Sequence, residues 1–240
     1  MALLAIETAT QQLGVAVWDG GRVLSSYELL AEYPHAVELP GAVKRVLEAA
    51  HLRLNQLEAI AIDLGPGSFT GLRIGMAFAK ALAFTQQRPL VGVASLDVLA
   101  AQLVRTHATV VPILDAKRQN VYAAFYRIEE EAPVRQGDYL LAPIQGVLER
   151  VSGPTLFVGD ACPLYREQIS AKLPAAQFAP ADCWWPRVGA LARLAAARLA
   201  KGQGDDPAAV VPLYLYARTC QVRLSDRPAG APRKALAKPV

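Results

Sequence analysis

The run GPGSFTGLRIG from Gly65 to Gly75 holds the residue types and spacing most suited to chemistry. Glycines permit positive φ and the close approach of a phosphate or of another backbone. Free N–H groups at Thr70, Gly71 and Leu72 would favour an anion where a helix begins. No Gly-Lys-Ser/Thr follows, so the run is not a P-loop, and its glycines do not have the spacing of a dinucleotide fingerprint. Two readings stand side by side. One is a phosphate contact, with Thr8, Gly65, Gly67 and Gly71 as the candidate nucleotide-binding residues. The other is a turn that packs a helix onto a sheet.

Asp63 lies just before the run and Asp115 ends an apolar stretch, so each either faces a cleft as an acid or base or holds its own loop by hydrogen bonds. The three histidines, His35, His51 and His107, include no i,i+4 pair that would bring two imidazoles to one metal. Structural roles fit them better. His51 ends a helix, where a cation suits the dipole, and His35 precedes one. Ser68 has no nucleophile elbow around it and no evident base nearby. Cys162, Cys183 and Cys220 are odd in number and widely spaced, which suggests neither a disulfide framework nor a zinc site and fits a reducing cytoplasm.

The chain of 240 residues is 53% hydrophobic and 19% charged, which excludes intrinsic disorder and allows one large domain or two lobes. No apolar run reaches the roughly eighteen residues of a membrane span, and the first residues lack the basic start of a secretory signal. The net charge of +4 invites a nucleic-acid reading until it is sorted by position. Residues 218–240 hold six basic side chains against Asp226, and the other 217 residues carry 19 basic and 20 acidic ones. The body is nearly neutral.

The elements that must position these residues alternate along the chain. Three short strands, Leu3–Ile6, Leu13–Trp18 and Val23–Tyr27, form an antiparallel meander with a hairpin turn at Asp19–Gly21. A helix from Ala36 to His51, a strand at Ala59–Ile62, a helix from Thr70 to Gln86 and a strand at Leu90–Val93 follow. Ser95 is expected to cap a helix reaching Val104, with Asp97 in its first turn. The second half opens in the same way, with strands Val110–Leu114 and Val121–Tyr126 around a polar turn. It continues with a strand at Tyr139–Leu141, a helix at Ile144–Val151, a strand at Leu156–Val158 and a helix from Pro186 to Lys201. A return segment, Ala208 to Tyr216, closes the fold, and the tail beyond Ala217 is expected to lack order.

Further motifs run in order from residue 1 to about 217: LAIETAT (Leu4–Thr10), His35 followed by Leu39 and Pro40, and VGVASL (Val91–Leu96). DAKR (Asp115–Arg118) with Val121 and Tyr122, and PLYL (Pro212–Leu215), complete them. Together with the Gly65–Gly75 run this set resembles the TsaB (YeaZ) family of bacterial tRNA threonylcarbamoyladenosine biosynthesis proteins. The resemblance implies an α/β, actin-like (ASKHA, ribonuclease H-like) two-lobed fold with mixed five-stranded sheets flanked by helices. The lobes would be residues 1–105 and 106–217, followed by the basic tail 218–240. It also implies a cytoplasmic, non-catalytic accessory subunit for threonylcarbamoyl transfer to adenosine 37 of tRNAs that read codons beginning with A. A catalytic paralogue, TsaD, would dimerise with it and hold the metal and the threonylcarbamoyl-adenylate, and the ATPase TsaE would join them. No cofactor of its own is implied, with ATP or ADP at most at the complex interface.

The residues agree with the accessory role. The catalytic paralogue's His-x-x-x-His pair is absent. Where sugar kinases of this superfamily carry Asp-x-Gly-Thr/Ser, this chain has Glu7, Thr8, Ala9 and Thr10, a longer acid with a Cβ in place of the glycine. A stand-alone kinase or ATPase, and a protease acting on the partner, are the alternative readings. In the family the two helices near residues 36–51 and 70–86 pair with the same helices of TsaD, or of a second TsaB in a homodimer. Val43, Leu47, Met76 and Ala83 are the interface candidates, with an ordinary core stripe as the alternative. Contact with tRNA would come through the complex, aided by Lys117, Arg118 and the tail, because phosphate contacts need only charge and reach. Trp184 and Trp185 adjoin Pro186, where core packing is expected rather than an RNA platform.

Overall fold

The computed structural model describes residues 1–30 and 35–215. The basic stretch 218–240 and its expected lack of order lie outside them.

β1 (Leu3–Glu7) is buried at every position, as a strand covered on both faces must be. β2 (Gln12–Asp19) and β3 (Arg22–Leu30) follow antiparallel. They are joined by Gly20 and Gly21, whose φ values of +57° and +84° give the two-residue turn that matches strand twist. α1 (His35–Ala49) leads to β4 (Ala59–Asp63), α2 (Phe69–Gln86) and β5 (Leu90–Val93). The sheet order is β3-β2-β1-β4-β5, with β1, β4 and β5 parallel. Period-two alternation sends Leu4 and Ile6 to the face covered by α1 and α2, and Leu3 and Ala5 to the other.

The second lobe repeats this strand for strand. β6 (Thr109–Asp115) pairs antiparallel with β7 (Asn120–Ala123) and parallel with β11 (Thr155–Val158). β10 (Leu140–Pro143) and β12 (Gln177–Phe178) complete the path β10-β7-β6-β11-β12. α4 (Ile144–Leu148) and α5 (Cys162–Lys172) take the places of α1 and α2. Each lobe is thus a five-stranded mixed sheet in one order, the actin-like arrangement. A hairpin, β8 (Tyr126–Glu129) and β9 (Ala132–Arg135), attaches to β6 and brings the second sheet to seven strands.

The two lobes exchange their last helices. Leu96, Leu99 and Ala100 of α3 (Ser95–Ala101) pack with Val110, Leu114 and Tyr126 of the second sheet. Val188, Leu191, Ala192 and Ala195 of α6 (Val188–Ala200) pack on Leu3, Ala5, Ala16 and Ala61 of the first. The N-terminus of α6 is held from β3, where Glu28 accepts the Val188 N–H at 2.9 Å and pairs with Arg187 at 3.0 Å. The return segment then runs along the first lobe's edge without regular structure. Asp205 bridges to Leu90, and the Leu213 N–H donates to the Leu64 carbonyl at 2.8 Å.

Several local expectations are corrected. Val121–Tyr126 is not one strand: it breaks after Ala123, and Tyr126 leaves for the β8–β9 hairpin. α5 and β9 have no counterpart in the sequence reading, because α5 carries only two buried residues, Cys162 and Ile169, and so shows little periodicity. Ser95 does not cap α3. The position before the helix is Ala94, and the Ser95 hydroxyl is committed to Asp63. Trp184 is half-buried, and its indole N–H donates to Ala179, in keeping with core packing.

Because α6 closes the first sheet, Leu191→Ala should destabilise the fold by about 2–5 kcal/mol. Amide exchange should then accelerate in β1 and β2, nearly two hundred residues away in sequence. Exchange that changed only in the second lobe would contradict this packing.

Candidate functional site

The turn between β1 and β2, residues Thr8 to Thr10, is pressed into the glycine run. A Cβ built on Gly67 would lie 2.0 Å from the Ala9 carbonyl oxygen, one on Gly71 2.0 Å from that of Thr8, and one on Gly75 2.1 Å from Thr8 Oγ1. No side chain fits at such distances. The contacts are also bonded: the Ser68 N–H donates to Ala9 O at 2.6 Å, and Thr8 Oγ1 donates to Gly71 O at 2.9 Å. The Ser68 hydroxyl caps α2 by accepting from the Gly71 N–H at 3.2 Å. Gly65, at φ +91°, turns the chain so that its N–H meets Asp63 and its carbonyl meets the Ser95 N–H. Of the two readings of this run, the packing turn is the one the geometry displays. Thr8, Gly67 and Gly71 are brought together, but against one another, with Thr8 fully buried.

Glu7 organises the turn from below. Its Oε1 accepts from the N–H groups of Ala9 at 2.9 Å and Thr10 at 3.1 Å, and from the Thr10 hydroxyl at 3.2 Å. Asp63, on the adjacent parallel strand, accepts through Oδ1 from the Gly65 N–H at 2.7 Å and the Ser95 hydroxyl at 2.6 Å. Burial and the neighbouring Asp63 charge push the Glu7 carboxyl well above its ordinary range. Burial also raises Asp63.

The second lobe has its own acid pair in the equivalent place. The Asp115 N–H donates to Asp160 Oδ1 at 2.9 Å, and Lys117 Nζ reaches Asp115 Oδ2 at 2.5 Å. Burial, with a contribution from the Asp115 charge, raises Asp160 to about 6. The turn beyond it holds Lys117, Arg118 and Gln119 at φ values of 63°, 51° and 64°, three successive left-handed residues without a glycine. Asp63 and Asp115 therefore sit in different lobes, each holding its own turn by hydrogen bonds.

Between the lobes opens a cavity of about 640 Å³, and its polar cluster is not visible in local sequence. Asp97 of α3 accepts from the Tyr126 hydroxyl at 2.6 Å and from that of Tyr139 at 2.9 Å. The Arg135 guanidinium lies 3.8 Å from the Tyr139 ring centroid. These residues come from α3, β8, β9 and the approach to β10, so only the hairpin that escaped sequence reading unites them. Burial raises both tyrosine hydroxyls, with Asp97 adding to the effect.

His35 bonds the Thr10 carbonyl at 2.9 Å, and His51 follows α1 at φ 54°. Among the described residues no three His, Cys, Asp or Glu side chains gather as a metal site. Cys162 is buried and pushed up to about 12 by burial, Cys183 is half-buried, and Cys220 lies outside the described residues.

The interface candidates are corrected. Val43, Leu47, Met76 and Ala83, none more than 6% exposed, belong to the first lobe's own core. The outward face of α2 carries Phe69, Arg73, Ala77, Ala81 and Phe84 instead. Phe69 and Phe84 are both more than half exposed, and Arg73 stacks on Phe69 at 3.9 Å.

Gly67→Ala or Gly71→Ala should cost about 1–3 kcal/mol or more, by forcing the turn off the loop. Gly146→Ala, whose added methyl would have only Ala142 Cβ at 3.9 Å, should change stability by about 1 kcal/mol or less. Chemical denaturation compares the three. For Asp160 the proton is held more tightly in the folded chain, so its contribution to stability is complete below about pH 4 and lost as pH rises through about 6. Asp160→Asn should flatten stability over that window.

A family model described as "TsaD: tRNA N6-adenosine threonylcarbamoyltransferase" matches residues 29–218. The tRNA threonylcarbamoyladenosine biosynthesis protein TsaB of Bacillus subtilis is 33% identical over 172 residues, covering 70% of this chain and 75% of that protein. TsaB of Escherichia coli is 36% identical over 132 residues, 54% of this chain and 57% of that protein. The solved structure of YeaZ from Pseudomonas aeruginosa aligns with a TM-score of 0.76 at 29% identity, covering 89% of this chain and 99% of that one. Agreement of motif order, repeated lobes and these relatives places the chain in the TsaB (YeaZ) family of tRNA threonylcarbamoyladenosine biosynthesis proteins.

Proposed function

We propose that this chain is a non-catalytic accessory subunit for threonylcarbamoyl transfer to adenosine 37 of tRNA, working as the partner of a TsaD-like catalytic paralogue. One observation carries the non-catalytic part of the reading. The glycine run, which would have to open toward a phosphate, is filled by Thr8 and Ala9 of the same chain. The metal and the adenylate would then sit in the partner, with ATP or ADP at most at the shared interface, and a TsaE-like ATPase would join the pair.

Pairing would use the outward face of α1 and α2. Ala77 and Ala81 allow a helix to approach closely, and Phe69 and Phe84 stand at the two ends of that row. α1 adds the exposed Val37 beside Pro40. A homodimer would occupy the same face and so compete with the heterodimer. No helix among the described residues is long and apolar enough to cross a membrane. A cytoplasmic site of action fits tRNA as the substrate of the complex.

Reconstituted modification of a tRNA transcript should require this chain in addition to its TsaD-like partner. Sustained ATP turnover by the chain alone with magnesium would overturn the accessory reading in favour of a stand-alone ATPase. Cleavage of the partner, abolished by changing one serine, cysteine or acid here, would favour a protease.

Ala77→Glu should leave the isolated chain folded while weakening the heterodimer about 100-fold, the effect of a desolvated charge at a packed apolar surface. Met76→Glu, one position away, should instead unfold the first lobe, because its side chain points into the core. Circular dichroism and titration of the partner separate the two outcomes.

A further inference from the structure

On the face of the first sheet that meets α3 and α6, Glu7 and Asp63 stand side by side. They lie one step past the Ile6–Ile62 pair of the parallel strands β1 and β4. Neighbouring strands are about 5 Å apart, which puts two carboxyl groups within reach of each other. Both residues are at most 1% exposed. Every donor that reaches them goes to one oxygen of each, three to Glu7 Oε1 and two to Asp63 Oδ1. The remaining oxygens, Glu7 Oε2 and Asp63 Oδ2, are buried and meet no donor among the described residues.

Two ionised carboxylates cannot stay there. Each bare oxygen would carry the desolvation cost of an unmade hydrogen bond, and the two charges would repel across a dry gap. A single proton between Oε2 and Oδ2 removes both costs, since the protonated acid donates and the other accepts. Burial raises both carboxyl groups, and the proton belongs to the pair rather than to either acid alone.

We propose that Glu7 and Asp63 form a carboxylic acid–carboxylate pair that holds one proton at neutral pH and latches the Thr8–Thr10 turn to the glycine run. Glu7 orders the turn that fills the run, and Asp63 fixes both Gly65 and the start of α3 through Ser95. Losing the proton sets like charges against each other under both anchors at once.

The surrounding groups offer no relief: of the α6 arginines, Arg193 donates to the Ala101 carbonyl and Arg198 to the Gly92 carbonyl and Asp205. From α3, Asp97 adds negative potential on Asp63. On β3, Glu28 is committed to Arg187 and to the N-terminus of α6, with Gly14 of β2 between it and Glu7. His35 of α1 bonds the Thr10 carbonyl rather than either acid. β5 contributes the apolar Val93. None of the ion pairs among the described residues includes Glu7 or Asp63.

The sign of the effect follows from linkage. The folded chain keeps a proton that the unfolded chain releases above the ordinary glutamate range, so stability is present at low pH and falls as pH rises. For one proton the unfolding equilibrium constant should grow about tenfold per pH unit until the pair itself titrates. Denaturant unfolding of the full chain between about pH 7.5 and 9 lies above the range of Asp160, near 6. Glu7→Gln, whose amide can donate to Asp63 in place of the shared proton, should fold and lose that tenfold dependence. Asp63→Asn should do the same, and Asp160→Asn should retain it.

Infrared spectra of the wild-type chain should show the carbonyl stretch of a protonated carboxylic acid at about pH 7.5, where Asp160 is ionised, and magnesium should not affect it. This readout stands even if a variant fails to fold. Equal pH slopes in wild type and Glu7→Gln would overturn the proposal. So would a spectrum at that pH without that stretch, or a stretch that magnesium removes, since a cation would then be the partner of the pair.

Discussion

Everything in the first lobe depends on one close backbone contact, the seating of the Thr8–Thr10 turn in the glycine run. Two carbonyl oxygens occupy the volume in which β-carbons of Gly67 and Gly71 would stand. The contact ties the first strand pair to the helix after β4 and fixes where α2 begins. Through Gly65 and Ser95 it also fixes where α3 begins. The sheet, both faces of helices and the lobe junction are therefore referenced to one dense knot of main chain. The same glycine-rich grammar that elsewhere opens toward a phosphate is spent here on holding the chain to itself.

The repeat of the lobes explains why that knot has a weaker echo. The second lobe has the same strand order and places Asp115 and Asp160 where the first has Glu7 and its partner acid. Its turn, however, is exposed and tied by Lys117 rather than buried. Of the two turns in the same topological place, the first is a packing element and the second lies on the surface. The Asp97–Tyr126–Tyr139 cluster belongs to neither, since it joins α3 to the start of the β8–β9 hairpin and to the approach to β10.

Much of this was legible in the sequence, and the reasons differ by element. The β2–β3 hairpin announced itself through Gly20 and Gly21, and α1, α2 and α6 through apolar spacing. The Gly65–Gly75 run carried the family resemblance, but not the identity of what fills it, because that occupant is sixty residues upstream. Pattern could not separate the outer row of α2 from its inner row. Met76 and Ala83 have the same apolar character as Phe69 and Ala77, and only the position of the sheet decides between them. β9 and α5 escaped because half-exposed strands and short polar helices leave no strong period. The position of Ser95 before an apolar run suggests a cap, yet a long-range carboxylate competes successfully for its hydroxyl.

The exchanged helices bear on how the molecule is made. Because Val188 to Ala195 supply the cover for Leu3, Ala5 and Ala16, the first lobe's sheet stays bare on one side while the ribosome is still translating the second lobe. A stalled or cleaved product ending before α6 would display that apolar face, and would be marked for chaperones or proteases rather than persist as a half-molecule. The two lobes resemble separate units in their topology, but in biosynthesis they are a single commitment, completed only when the last helix arrives.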